Sequence, residues 1–142
     1  MKYGEIHIRN WTAACLWVVL FLGSLGQAFG GVITSVSAQE AKLLIDKHQD
    51  DSDFVILDIR TPFEFQQGHI QGALLIDYRN PQFKEVLGRL DRSKTYLVYC
   101  RSGNRSGRAL DIFSNLGFEQ IYHLSRGILE WQAERLALVP SS

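Results

Sequence analysis

Cysteine is scarce: the 142-residue chain has two, Cys15 and Cys100, set far apart in unlike segments. That argues against a disulfide-stapled scaffold. No Cys-x-x-Cys pair occurs, and His7, His48, His69 and His123 are scattered. No metal-ligand spacing is therefore present, and neither a metal nor another cofactor is expected. Net charge is missing as well, since 15 Lys and Arg balance 15 Asp and Glu. The electrostatic footprint of a nucleic-acid partner is absent, and any basic feature that matters has to be local. There is no internal repeat and no low-complexity segment. The rest is ordinary globular material, 46% apolar and 21% charged, enough for one domain.

Charge is also absent locally, over residues 10–39, and residues 11–25 are strongly apolar. Lys2 and Arg9 precede the run with only Glu5 opposing, the layout of a secretory signal. Small residues at Gly26 and Ala28 suit cleavage after Ala28. A second candidate, after Ala38, would cut into a capping box formed by Ser37 and Glu40 and remove the strand before it. The competing reading is an uncleaved anchor, because residues 11–30 reach the roughly 20 residues that cross a bilayer core. Residues 1–28 are thus expected to be a signal peptide or membrane anchor, and residues 29–142 the folded domain, with its core over 32–139. Both readings put the domain outside the cytoplasm, exported to the periplasm or tethered with its face outward. A membrane partner follows only from the anchor. Cys15 lies in the apolar run without a convincing lipoprotein context and is given no role.

From Val32 onward, strand and helix patterns alternate. Val32, Ile33 and Val36 suggest a short strand, and residues 38–48 carry apolar residues at helical spacing. Phe54-Val55-Ile56-Leu57 is a continuous apolar run, as in a strand buried on both faces of a parallel sheet. Pro62 opens a short helix at its first position. Leu74-Leu75-Ile76 forms a short strand, residues 83–90 a helix, and residues 95–99 a buried strand running into Cys100. A helix over 106–115 stopped by Gly117, a strand over 118–124 and a helix over 128–136 complete the order. Units of this size predict an α/β fold, a three-layer sandwich with a mainly parallel central sheet flanked by helices.

The candidate chemistry sits in Cys100-Arg101-Ser102-Gly103-Asn104-Arg105-Ser106, between a buried strand and a helix. In an open parallel sheet, ligands bind beyond the carboxyl ends of the strands. Gly103 and Asn104 tolerate positive φ, so backbone N–H groups can turn inward as a nest. Ser102 and Ser106 add hydroxyls, the helix beginning near Ser106 adds its positive end, and Arg101 and Arg105 add full charges. Such surroundings depress the pKa of Cys100 and make it a thiolate nucleophile near neutral pH. A buried cysteine after a strand is often only a small apolar filler, but here it begins a loop built for an anion. An unpaired thiol in an oxidising compartment is also a liability unless it works.

This loop closely resembles the active-site loop of single-domain rhodaneses. Leu57-Asp58-Ile59-Arg60-Thr61-Pro62-Phe63-Glu64-Phe65 resembles that family's strand-to-helix signature. Gly68-His69-Ile70-Gln71-Gly72-Ala73 is similar to its Gly-His-Ile-x-Gly-Ala motif, and Gly127 to Trp131 to its Gly-x-x-x-Trp. Arg126 departs from the pattern, standing where the family often has a second glycine, and adds a cation near the loop. The resemblance implies a rhodanese-like fold and ping-pong transfer of a sulfane sulfur through a Cys100 persulfide. Its partners would be a small sulfur donor, such as thiosulfate, and a cyanide or thiol acceptor, with a protein acceptor left open. The 101–106 loop would bind the anionic sulfur. At the position of Glu64 some two-domain rhodaneses carry an arginine that binds thiosulfate, so the acidic residue leaves the donor open. A sulfur carrier or redox or interaction module with little turnover of its own is the alternative. A phosphatase or arsenate reductase fits less well, because Arg105 falls one residue early for Cys-x5-Arg. Asp58 and Arg60 end a central strand and flank the site, or more simply cap backbone and pair with a carboxylate. His69 reads as a loop-fixing hydrogen bonder, and Tyr99 and Trp131 as core.

Overall fold

A computed structural model describes residues 31–140. The expectations for the leader or anchor, for cleavage after Ala28 and for Cys15 lie outside the described residues. Among the described residues no helix is long and apolar enough to cross a membrane.

Five parallel strands form one sheet in the order β1-β5-β4-β2-β3. They are β1 (Val32–Val36), β2 (Phe54–Asp58), β3 (Leu74–Leu75), β4 (Thr95–Tyr99) and β5 (Gln120–Leu124). The helices are α1 (Ala38–Lys47), α2 (Pro62–Gln66), α3 (Phe83–Leu87), α4 (Asn104–Leu116) and α5 (Gly127–Ala133). The expected α/β sandwich is the observed architecture.

Alternation along β4 separates the two helical layers, since successive strand side chains face opposite ways. Leu97 and Tyr99 pack with Ala38 and Ala41 of α1 and with Ile128 and Trp131 of α5. Tyr96, Val98 and Cys100 pack on the other face, with Phe83 and Leu87 of α3 and Ala109 and Phe113 of α4. Tyr96 to Cys100 are all buried, the mark of a central strand covered on both faces. Cys100 thus leaves the middle of the sheet, pointing toward α4.

Local chemistry sets the boundaries. Ser37 caps α1 through the expected capping box with Glu40, and Thr61 caps α2 through a second one with Glu64. Helix α3 ends at Leu87 rather than at residue 90. Gly88 N–H still closes on the Lys84 carbonyl, but the next bonds reach only three residues back, Arg89 N–H donating to Val86 and Leu90 N–H to Leu87. Helix α5 stops at Ala133, where Arg135 takes a positive φ of 56° and Leu136 N–H closes onto the Trp131 carbonyl. Strand β5 begins at Gln120, two residues later than expected. The difference closest to the candidate chemistry lies at α4, which begins at Asn104 and not at Ser106.

Candidate active site

Helix α4 begins without a conventional cap. Its N-cap is Gly103, which has no side chain to accept from the first amides, and no side-chain hydrogen bond caps it. The acceptor comes instead from the residue that follows β4. Ser106, the third helical residue, donates its backbone N–H to Cys100 Sγ at 3.5 Å and its hydroxyl at 3.4 Å. The cysteine sulfur therefore stands where a serine or aspartate oxygen would cap an ordinary helix. A thiolate there receives both directed hydrogen bonds and the positive end of a 13-residue helix.

Burial pushes the Cys100 thiol up, because it penalises the charged form. The Ser106 hydroxyl and amide, with the backbone N–H groups of Ser102 and Gly103, outweigh that, and the net displacement is downward. Cys100 is fully buried, with 0% of its surface exposed. The thiol is activated and covered at once.

Two glycines make the loop geometry possible. Gly103 has a φ of 87°, and a Cβ on it would lie 1.8 Å from the Ser125 carbonyl oxygen. Gly127, with a φ of 63°, sits so close that its Cβ would be 2.5 Å from the Arg101 oxygen and 2.6 Å from the Cys100 oxygen. Only glycine fits either place. Beyond Gly127, Ile128 N–H donates to the Cys100 carbonyl and Leu129 N–H to that of Arg101, fastening α5 to the loop. Asn104 does not use the positive φ expected of it. As the first helical residue, it donates its side-chain amide to Ser102 Oγ at 3.2 Å. The nest rests on Gly103 alone.

The two loop arginines diverge. Arg105 makes a paired fork with Glu64 of α2, Nη1 to Oε2 at 2.7 Å and Nη2 to Oε1 at 2.6 Å. The Arg105 guanidinium holds the Glu64 carboxyl down to about 2, against burial that would raise it, with Thr61 helping. Glu64 is thus charged at any ordinary pH, and Arg105 brings little unpaired charge to the site. Arg101 is exposed and lines a cavity of about 180 Å³ with Arg60, Glu64, Gln67, Leu129 and Gln132. Arg126 is exposed beside Ser102 and lies 3.7 Å from Glu130.

Asp58 and Arg60 form a buried pair. Arg60 Nη2 reaches Asp58 Oδ2 at 2.6 Å and the Gly68 carbonyl at 2.8 Å, while its backbone N–H donates to Asp58 Oδ1. The simpler reading of these two residues describes what they do. They tie the end of β2 to the Gly68 loop, and Arg60 only borders the cavity. His69 fixes that same loop by exchanging backbone bonds with Val139 and stacking on Phe65 at 3.7 Å. Tyr99 is buried, its hydroxyl accepting from Ile70 N–H at 3.1 Å, and burial pushes that hydroxyl far up. Trp131 is buried too, and its indole N–H donates to Ala137. Among the described residues no cluster of His, Cys, Asp and Glu is placed to hold a metal.

The sequence profile of the rhodanese-like domain matches residues 37–134. The chain belongs to this family. A Mycobacterium tuberculosis protein, the probable adenylyltransferase/sulfurtransferase MoeZ, is 33% identical over 112 residues, 74% of this chain and 29% of its own length. This chain therefore spans under a third of that relative. A sulfurtransferase of Allochromatium vinosum is 29% identical over 104 residues, covering 73% of this chain and 95% of the relative. The crystal structure of a rhodanese-related protein from Thermoplasma volcanium superposes with a TM-score of 0.61 at 28% identity, covering 76% of this chain and 99% of that one. This rhodanese-like chain thus has the fold of a rhodanese-related protein and is 29–33% identical in sequence to these sulfurtransferase relatives.

Two features of the site escaped sequence reasoning. The Glu64–Arg105 fork joins residues 41 positions apart, which no local pattern reveals. His123 of β5 is buried, with Nε2 only 2.9 Å from Ser106 Oγ. A signal for it existed. Ile121 faces α4, and a period of two puts His123 on that same face.

Proposed function

We propose that this rhodanese-like protein is a sulfurtransferase in which Cys100 carries the sulfur as a persulfide. The observation that supports this best is the Cys100 sulfur seated as the anionic cap of α4, held by Ser106 and lowered in pKa. The thiolate attacks the outer sulfur of a donor such as thiosulfate. A new S–S bond forms on Cys100, the bond to the donor breaks, and sulfite leaves with the electron pair. Cyanide or a thiolate then attacks the terminal sulfur, leaving as thiocyanate or a new persulfide and restoring the Cys100 thiolate. The amides of residues 102–106 hold each successive anion, so no general base is required. Arg105, committed to Glu64, is a poor cradle for a phosphoryl group, which weighs against phosphatase chemistry.

Intact-mass analysis after incubation with thiosulfate or another sulfane donor tests this. The expected result is a gain of one sulfur atom, absent in Cys100→Ser. No adduct with any donor, together with hydrolysis of an aryl phosphate, overturns it.

The complete burial of Cys100 favours a second reading, a carrier that exchanges sulfur only with a partner protein able to displace the cover. That reading predicts persulfide loading with negligible cyanide turnover until a partner is supplied. The charge-free run over residues 10–39 supports export of the domain from the cytoplasm. N-terminal sequencing of the mature protein separates cleavage after Ala28 from a retained anchor.

A further inference from the structure

Ser106 Oγ has one hydrogen to give and three acceptors within reach. Cys100 Sγ lies at 3.4 Å, the Gly103 carbonyl at 3.2 Å and His123 Nε2 at 2.9 Å. A hydroxyl donates once but accepts freely, so the proton on His123 decides where the serine hydrogen goes. If Nε2 is bare, it claims that hydrogen through the shortest of these contacts, and Sγ loses its hydroxyl donor. If Nε2 carries the proton, it donates to Ser106 Oγ, and the serine hydrogen is released toward the sulfur. A bond to a thiolate or persulfide anion is charge-assisted and outcompetes one to the Gly103 carbonyl.

We propose that His123 is a positioning residue for Cys100: its Nε2–H, donated to Ser106 Oγ, aims the serine hydroxyl at the cysteine sulfur. The inference rests on Cys100 being the working nucleophile and adds the residue that orients its hydroxyl donor. His123 lies one strand from β4, paired in register with Val98 on that side and with Ser35 of β1 on the other. From α4, Gly107 faces the ring: a Cβ there would stand 3.7 Å from His123 Cε1, at ordinary contact distance. Val98, Ser35 and Gly107 carry no charge. Cys100 is the titratable group across Ser106, and Arg105 on α4 is held by Glu64 of α2. Burial keeps the imidazole neutral by pushing its pKa down, against the Gly103 backbone, which favours a proton on the ring. A neutral ring has a single N–H, and the proposal places it on Nε2, the nitrogen 2.9 Å from Ser106 Oγ.

The test begins with the unsubstituted protein. Nitrogen-15 NMR of labelled histidine, with Cys100 reduced at mildly alkaline pH, is expected to show a protonated Nε2 for His123. A bare Nε2 overturns the proposal. The second measurement is the pH midpoint of Cys100 alkylation by iodoacetamide. His123→Ala is expected to raise it by about one to two pH units, the size of one lost hydrogen bond to the charged form. His123→Gln, which keeps an N–H donor near the position of Nε2, returns the midpoint toward that of the unsubstituted protein. In a Ser106→Ala background, His123→Ala causes no further shift. An unmoved midpoint, or an equal shift with and without Ser106, overturns the proposal. Alkylation needs no sulfur donor, so this outcome is independent of whether a persulfide forms. A missing persulfide adduct overturns the sulfurtransferase reading whatever the alkylation profile does.

Discussion

Substituting Gly103 by alanine separates the two demands the active-site loop makes on its backbone. The first is conformational: a φ of 87° costs a non-glycine residue about 1–2 kcal/mol. The second is steric. The new Cβ would stand 1.8 Å from the Ser125 oxygen and 2.7 Å from the Ser125 carbon, where contacts normally settle near about 3.5 Å. No side chain can rotate away, because both partners are backbone. Ser125 is also held in place, its N–H and its hydroxyl both donating to the Val36 carbonyl at the end of β1. The loop must move by well over an ångström, an overpacking cost of about 1–3 kcal/mol. The sum is about 2–5 kcal/mol, or a fall in Tm of about 10 °C or more for a domain of this size. Gly117→Ala is the matched control. Its φ is 80°, with nothing within 4 Å of the added carbon, so it carries only the conformational cost. Urea or thermal unfolding of the two variants gives the steric part by difference. Iodoacetamide alkylation then reads the functional part. Displacing Gly103 misdirects the amides of Ser102, Gly103 and Ser106, so the Cys100 midpoint should rise toward that of a free thiol. Equal stability losses in the two variants, with an unmoved Cys100 midpoint in Gly103→Ala, would refute the reasoning.

Other substitutions probe the charges around the site. Glu64→Gln keeps the capping geometry but frees Arg105. Thiosulfate KM in a cyanide assay should fall severalfold, at a stability cost of about 1–2 kcal/mol because solvent screens part of the pair. The pH dependence has a definite sign, since the Glu64 pKa is depressed. The stability difference between the two proteins is constant above the ordinary value of 4.5 and vanishes as pH falls through about 2, as urea titrations at graded pH will read. Asp58→Asn leaves Arg60, 5% exposed, without its counter-charge, and should cost about 3–5 kcal/mol in urea unfolding. Tyr99→Phe strands the buried Ile70 N–H and should cost about 1–2 kcal/mol, with the Cys100 alkylation midpoint unchanged.

Features set by neighbours in sequence were legible in advance. The capping box at Ser37, the strand from Thr95 to Tyr99 and the glycine stop at Gly117 depend on contacts within a few residues, and all appear where expected. The Cys100 loop was visible for the same reason, as an apolar strand running into a glycine and serine turn. Its finer geometry was not. Helix α4 begins two residues early because Ser106, expected to open it, is drawn inside to serve Cys100, and Asn104 becomes helical as a result. Residue types alone suggested two loop arginines lending charge to the site. Tertiary packing removed one of them, because α2 carries Glu64 to Arg105 and the two ions neutralise each other. His123 needed the sheet itself: only the parallel pairing of β5 with β4 sets its ring beside Ser106. Periodicity and capping chemistry act over a turn of helix or a strand, so they can name the nucleophile and its helix. Which donors reach that nucleophile, and which charges stay free, is decided by chain segments that meet only when the sheet closes.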